Sequence, residues 1–556
     1  MIKKFFIRLG LCCLICGLLF DVSTAETEEK ENPQKGKGYE AFQYFINGDL
    51  YELSGDIAKA ISEYQKARTQ EPDIPEIRLA LARAYFMVKE IDSAKVELLK
   101  IKPKNNEAYG LLGDCYRFSG KEDSALLAYQ EAVKLDSTDF GSFWQLAIIW
   151  QKRDELQKSI AAWRKVASLS SFSVPVHLQL ANLLFQIKDY DQAIKEYQRV
   201  LDLNPNDVKA LLGLGACYEV TGELEKAIEP YQKFLTLEPS NANLRNRLIS
   251  LYLRAGKIEE ATKEAELLYN LKPEDMEMKK SLGALYFSQK EYDKAESLFT
   301  SYIQSNPDDP SVHFYLGKIA IEKKDFERAK QEFEKTISLA DSVPDGWVNL
   351  ALVYLYQDST QKAIWVYKEA LEKVSDKATI QYLLGSAYAQ ARQFDSAIVI
   401  LQSASDQRPN DTYILFGLGS AYERRGDFDQ AVAIFERLIQ LDSTHASALN
   451  YLGYMLADKG IRLEESLNMI KRALESEPNN GAYLDSYGWV LYRLGKATEA
   501  EVQIKKALKI VGDDAVIREH LGDIYNALGE TKKAKKEWKE ALKLDPENAK
   551  LKEKLK

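Results

Sequence analysis

The stretch Val208–Asn241, VKALLGLGACYEVTGELEKAIEPYQKFLTLEPSN, is a 34-residue unit whose reading decides the fold. Its apolar residues Leu211, Leu214 and Tyr218 recur at spacings of three and four, which predicts an amphipathic helix from Val208 to Thr221. Gly222 breaks that helix, and the acidic start Glu223 to Glu225 opens a second one that runs to about Leu237. Gly215 and Ala227 are small enough to let the two helices approach, while Tyr218, Tyr231 and Phe234 fill the space around them. Pro239 forces the residue before it out of helical geometry and sets a turn. A lone hairpin of this size cannot bury both faces, so neighbours must stack on it.

The same pattern repeats from residue 41 to residue 548. Copies start near residues 41, 75, 106, 140, 174, 208, 242, 276, 310, 344, 378, 412, 446, 481 and 515. The eighth residue of each is small (Gly48, Ala82, Gly113, Ala147, Ala181, Gly215, Gly283, Gly317, Ala351, Gly385, Gly419, Gly453, Gly488, Gly522), and only Ile249 departs. A second small position holds alanine in every copy except those with Ser159 and Ser466. Copy two loses three residues before Pro103, and copy thirteen gains one between Ile461 and Glu464. After Pro546, residues 549–556 keep Leu551 and Leu555 on one side and read as a solvating C-terminal helix.

This register resembles the tetratricopeptide repeat family over about nine tenths of the chain. The resemblance implies an all-α fold, a right-handed superhelical solenoid of about fifteen stacked hairpins. It also implies that first helices line a concave groove, into which residues two, five, nine and twelve of each copy point. The spans LNYLGYMLADKGIRLEESLNMIKRAL and LDSYGWVLYRLG look like a two-copy module of exported and envelope bacterial repeat proteins.

The first residues obey different physics. Lys3, Lys4 and Arg8 precede an apolar run from Leu9 to Phe20 that is short for a membrane span, and Ser23-Thr24-Ala25 suits a signal peptidase. Residues 1–25 therefore read as a cleaved signal peptide, with an uncleaved N-terminal anchor as the alternative. No small residue directly precedes Cys12, Cys13 or Cys16 as a lipoprotein signal requires; their neighbours are Leu11, Cys12 and Ile15. Residues 26–40 read as a charged, disordered linker. The expected location is the periplasm or cell envelope.

Removal of residues 1–25 takes away three positive charges and one negative, lowering the formal charge from −9 to −11. Nucleic acid is thereby a poor partner, because its binding draws on clustered Lys and Arg. Cys115 and Cys217 lie three copies apart, beyond the roughly 7 Å Cα separation a disulfide spans, and read as small buried residues. His177, His313, His445 and His520 fall in four different copies and cannot converge on one metal. Gly213-Leu214-Gly215 and Gly417-Leu418-Gly419 mimic phosphate loops but fall inside helices, with one member of each the small packing residue. No cofactor, metal site or catalytic group is expected. The family's glycosyltransferases carry a catalytic domain after the repeats, whereas the repeats here run on to residue 548, so a glycosyltransferase-associated role is the remotest alternative.

The groove remains. Toward the C-terminus its positions turn aromatic and polar: Tyr413, Phe416 and Ser420, then Asn450 and Tyr454, then Asp485, Trp489 and Tyr492. Rings flanked by amide, hydroxyl and carboxylate groups suit an extended peptide or a glycan. The alternative is that these rings pack against one another or against the second helix of their own copy. Chaperone-tail clamps of the family need lysine at residue five and asparagine at residue nine; here Lys280 is followed by Ala284, and Asn182 is preceded by Leu178. The groove-facing Arg83, Arg117 and Lys318 are dispersed. The expected function is a noncatalytic protein–protein interaction scaffold of the bacterial envelope. An accessory role in polysaccharide export or surface glycan assembly is the alternative.

Overall fold

Most first helices begin at a residue whose side chain caps them. Asp207 ends one copy and its carboxylate accepts from the backbone N–H groups of Lys209 and Ala210, at 3.1 and 3.0 Å, starting the helix Val208–Val220. Asp309, Asp411, Asn480 and Asp514 do the same for the first helices of the copies that follow them. Each first helix then ends on a residue in the left-handed region. Residue fifteen of every copy has positive φ, whether glycine as at Gly222 (φ 82°) or not, as at Lys324 (φ 60°). The backbone N–H of Glu223 reaches back to the Tyr218 carbonyl at 2.8 Å, which satisfies a helix end and launches the second helix, Leu224–Leu237.

The computed structural model describes residues 33–556. These residues form 31 helices in tandem, 80% of them being helical, with no strand among the described residues. The expected signal peptide, residues 1–25, lies outside them. The first helix runs Pro33–Ser54, so residues 33–40, read above as linker, extend the helix of copy one.

The chain divides into two units, one up to Lys257 and one from Ile258, the division falling between the two helices of copy seven. Each unit is a run of antiparallel helix pairs whose cores lie between consecutive helices. In the first, Tyr129, Trp163 and Tyr197 are buried along one continuous cluster. In the second, Phe333, Tyr367 and Leu401 form one cluster, and Trp489, Ile504 and Trp538 another. The small eighth residue faces a large one in the middle of the second helix: Gly317 faces Phe333 and Gly419 faces Phe435. In copy two the second helix, Ile91–Lys100, has only 10 residues, matching the deletion there. In copy thirteen Arg462, itself at φ 51°, absorbs the extra residue and pairs with Glu436 and Glu465. Within the described residues no helix is long and apolar enough to cross a membrane.

Candidate partner-binding groove

Residue nine of each copy points into the groove by the family resemblance, and in several copies it serves packing instead. Tyr64 donates its hydroxyl to Asp49 at 2.6 Å, Tyr129 to Asp114 at 2.7 Å and Tyr197 to Asn182 at 2.7 Å; the Trp538 indole donates to Asp523 at 3.0 Å. The aromatic ring that fills the gap opposite the small eighth residue brings a buried donor, and residue nine is the acceptor it needs. In copies twelve to fourteen that ring position holds Phe435, Ile470 and Ile504, none of which donates. Ser420, Tyr454 and Trp489 at residue nine are released from this duty.

Tyr413 stands 72% exposed at the first turn of Thr412–Arg425. Phe416 is half-buried and packed: it meets Phe435 edge-on at 5.8 Å and Tyr451 at 5.4 Å, and lies flat on His445. Ser420, half-buried, follows on the same face. On the helix Ala446–Lys459, Asn450 is buried and Tyr454 half-buried. On Gly481–Arg493, Asp485 and Trp489 are buried and Tyr492 half-buried. Several of the expected groove rings therefore pack along the groove. Trp489 stacks on His520 at 4.1 Å between centroids and tilts against Tyr492 at 5.1 Å, and His520 donates toward Asp485 at 2.9 Å. The Tyr454 ring lies 6.2 Å from His520, so one aromatic cluster spans three first helices.

The cluster sits in an acidic field. Burial raises the Tyr454 hydroxyl's pKa, and Asp458, Asp485, Glu423 and Glu519 add to the rise. Burial also pushes the Glu423 carboxyl up, against the opposing pull of Arg424. Two buried polar atoms here have no hydrogen-bond partner among the described residues, Asn450 Oδ1 and Trp489 Nε1.

Residue four of the copies carries a role the sequence reading missed. His177 gives one ring nitrogen to Glu196 at 2.7 Å and the other to the Ser171 carbonyl, while His313 does likewise with Glu332 at 2.7 Å and the Pro307 carbonyl at 2.8 Å. Arg245 and Trp347 reach the equivalent carbonyls of Pro239 and Asp341. The signal was available as a buried donor recurring at residue four, six positions after the carbonyl that each one ties down. Gly213 and Gly215 both prove to be packing glycines: a Cβ would lie 2.2 Å from the Tyr197 ring at the first and 2.3 Å from Tyr231 at the second. Among the described residues no group of three His, Cys, Asp or Glu side chains could hold a metal ion, and Cys115 and Cys217 are free and buried.

Tandem hairpins with a small-against-large contact, a left-handed link and a groove lined by first helices define a helical-repeat protein. Tetratricopeptide repeat profiles match residues 178–242, 246–310 and 416–461, residues 53–103, 286–345 and 354–418, and residues 107–139 and 516–548. The chain belongs to the tetratricopeptide repeat family. Repeats of this family are generally noncatalytic modules for protein interaction. A TPR repeat-containing protein of Pseudomonas aeruginosa is 44% identical over 64 residues, a match covering 12% of this chain and 11% of that protein. A tetratricopeptide repeat protein from Parabacteroides merdae is similar at 18% identity and a TM-score of 0.38, covering 44% of this chain and 97% of that one. Yeast Tom70 is similar at 18% identity and a TM-score of 0.32, covering 69% and 94%.

Proposed function

We propose that this protein is a noncatalytic scaffold of the bacterial cell envelope that binds extended segments of partner proteins along the groove of copies twelve to fourteen. One observation carries the placement. In these copies the ring position holds Phe435, Ile470 or Ile504, as it holds Phe299, Phe333 and Leu401 in copies eight, nine and eleven, so residue nine is not tied by the hydrogen bond that Asp49, Asp114, Asn182 and Asp523 accept, and copies twelve to fourteen add Tyr413, Tyr454 and Trp489 to the face so released. Side chains not consumed by packing are those a partner can use. The envelope location rests on the lysine-led apolar start and its Ser-Thr-Ala end.

The test is crosslinking and affinity purification from fractionated cells, comparing the parent with a Tyr413→Ala, Ser420→Ala, Tyr454→Phe variant. These changes leave the packed rings Phe416 and Trp489 in place, so helicity by circular dichroism should hold. A defined set of envelope proteins, captured by the parent and lost from the variant, is the expected result. An unchanged set would refute the groove assignment, and recovery in the cytoplasm with residues 1–25 intact would refute export.

A further inference from the structure

A cleft of about 170 Å³ opens between copies twelve and thirteen, lined by Glu423, Phe428, Tyr454, Met455, Asp458 and Lys459. Among the described residues neither the Glu423 nor the Asp458 carboxylate makes a hydrogen bond or ion pair. The other groove carboxylates nearby are met. Asp485 accepts from His520, and Glu519 and Asp523 hold the Lys554 ammonium, each at 2.7 Å. Lys459 leaves its ammonium 5.5 Å above the Phe428 ring instead of on either carboxylate. The cations Arg424 and Arg493 are committed elsewhere or exposed, Arg493 donating to the Asp458 backbone carbonyl at 2.6 Å.

A second observation points to a ligand from the same face. Asn450 lies one helical turn before Tyr454, is 8% exposed, and its Oδ1 lacks a partner. Trp489, also 8% exposed, leaves Nε1 without a partner and shares His520 with Tyr454 as a ring neighbour. Buried polar atoms are normally paired, and an unmatched acceptor and an unmatched donor on this run of first helices are of the kinds that the N–H and C=O of an extended main chain can meet.

We propose that this cleft is a subsite for a lysine or arginine side chain of an extended peptide, its cation held by Glu423 and Asp458 and its methylene stem against Phe428, Tyr454 and Met455. The proposal rests on the groove reading above and names the chemistry of its occupant: the partner segment is basic. Burial that raises the Glu423 carboxyl without an ion pair is a cost that an incoming cation offsets. The formal charge of −9 draws the same class of partner by long-range attraction.

The probe is an end-blocked, fluorescein-labelled tetralysine peptide, read by anisotropy against the full chain at about 0.15 M salt, where surface attraction is screened. Tetralysine should bind and end-blocked tetraglutamate should not. Glu423→Gln with Asp458→Asn should weaken binding about tenfold, while neutralising the exposed Glu464 and Glu475 should leave it unchanged. On peptide addition the Glu423 carboxyl, followed by NMR, should titrate lower. Equal binding by the double variant, or an equal loss in the Glu464/Glu475 control, would overturn the subsite. Partner capture separates the two readings: capture that survives the double amide variant but is lost with the Tyr413, Ser420 and Tyr454 changes rejects the basic subsite and keeps the groove. Capture that survives both rejects both.

Discussion

The Tyr231 ring occupies the space beside Gly215, 2.3 Å from where a Cβ on that glycine would stand. The ring is fully buried and carries the close approach of the two helices of copy six. Gly215→Ala must push the ring or the helix aside, and overpacking of this kind costs roughly 1–3 kcal/mol. Urea denaturation should show the lower midpoint; an unchanged one would mean that the helices are not held at this distance.

Left-handed links that lack glycine store strain that can be removed. Lys324 sits at φ 60°, a conformation costly for a residue with a Cβ. Lys324→Gly should stabilise the chain by about 0.5–1 kcal/mol after the added freedom of the unfolded state is counted. Gly222→Ala, at φ 82°, should shift thermal unfolding in the opposite direction.

Acid should weaken copies eight and nine through Asp309. Burial alone would raise its pKa, but the Lys280 ammonium at 2.7 Å, the Ser311 hydroxyl at 2.6 Å and the Tyr302 hydroxyl at 2.9 Å outweigh it, holding the carboxyl well below its ordinary 3.8. A depressed folded value means that the stabilisation is present above 3.8 and fades as the pH falls below it. The stability gap between the parent and Asp309→Asn should therefore be widest near neutral pH and narrow below 3.8, as measured by urea midpoints across that range.

The two buried thiols report unfolding. Burial pushes Cys115 and Cys217 up to about 11, so the thiolate is scarce at pH 8 in the folded chain. Iodoacetamide should label neither until denaturant opens the array, after which both should react. Rapid labelling of the native protein would contradict the packing described.

The repeat was legible because its steric demand is local: one small residue and one large one per hairpin, at constant spacing. The groove was less legible. Trp489 and Asp485 occupy groove positions by count, yet His520, contributed by the next copy, turns them inward as a stack and a hydrogen bond. Phe416 likewise meets Tyr451 of the following copy and His445, the residue that caps that copy's first helix. The missed staples at residue four, such as His313 bridging Glu332 and the Pro307 carbonyl, join a helix to a turn and to a second helix; the donors recur at a fixed place in the sequence, but only the fold shows that they are buried and which groups they meet.

By itself the sequence determined the hairpin, its 34-residue spacing, the small-against-large contact and the family, because helix periodicity, breakers and side-chain volume act between residues near in the chain. Only the tertiary structure decided which groove side chains are consumed by packing. Whether residue nine must answer a buried donor depends on the side chain that arrives from the second helix, so Asp114 is bound to Tyr129, while in copy thirteen Ile470 fills the space beside Gly453 and asks no bond of Tyr454. A buried donor must be paired and a methyl group need not be, and that difference separates the copies whose residue nine is consumed by packing from those, the candidate binding surface among them, whose residue nine is not.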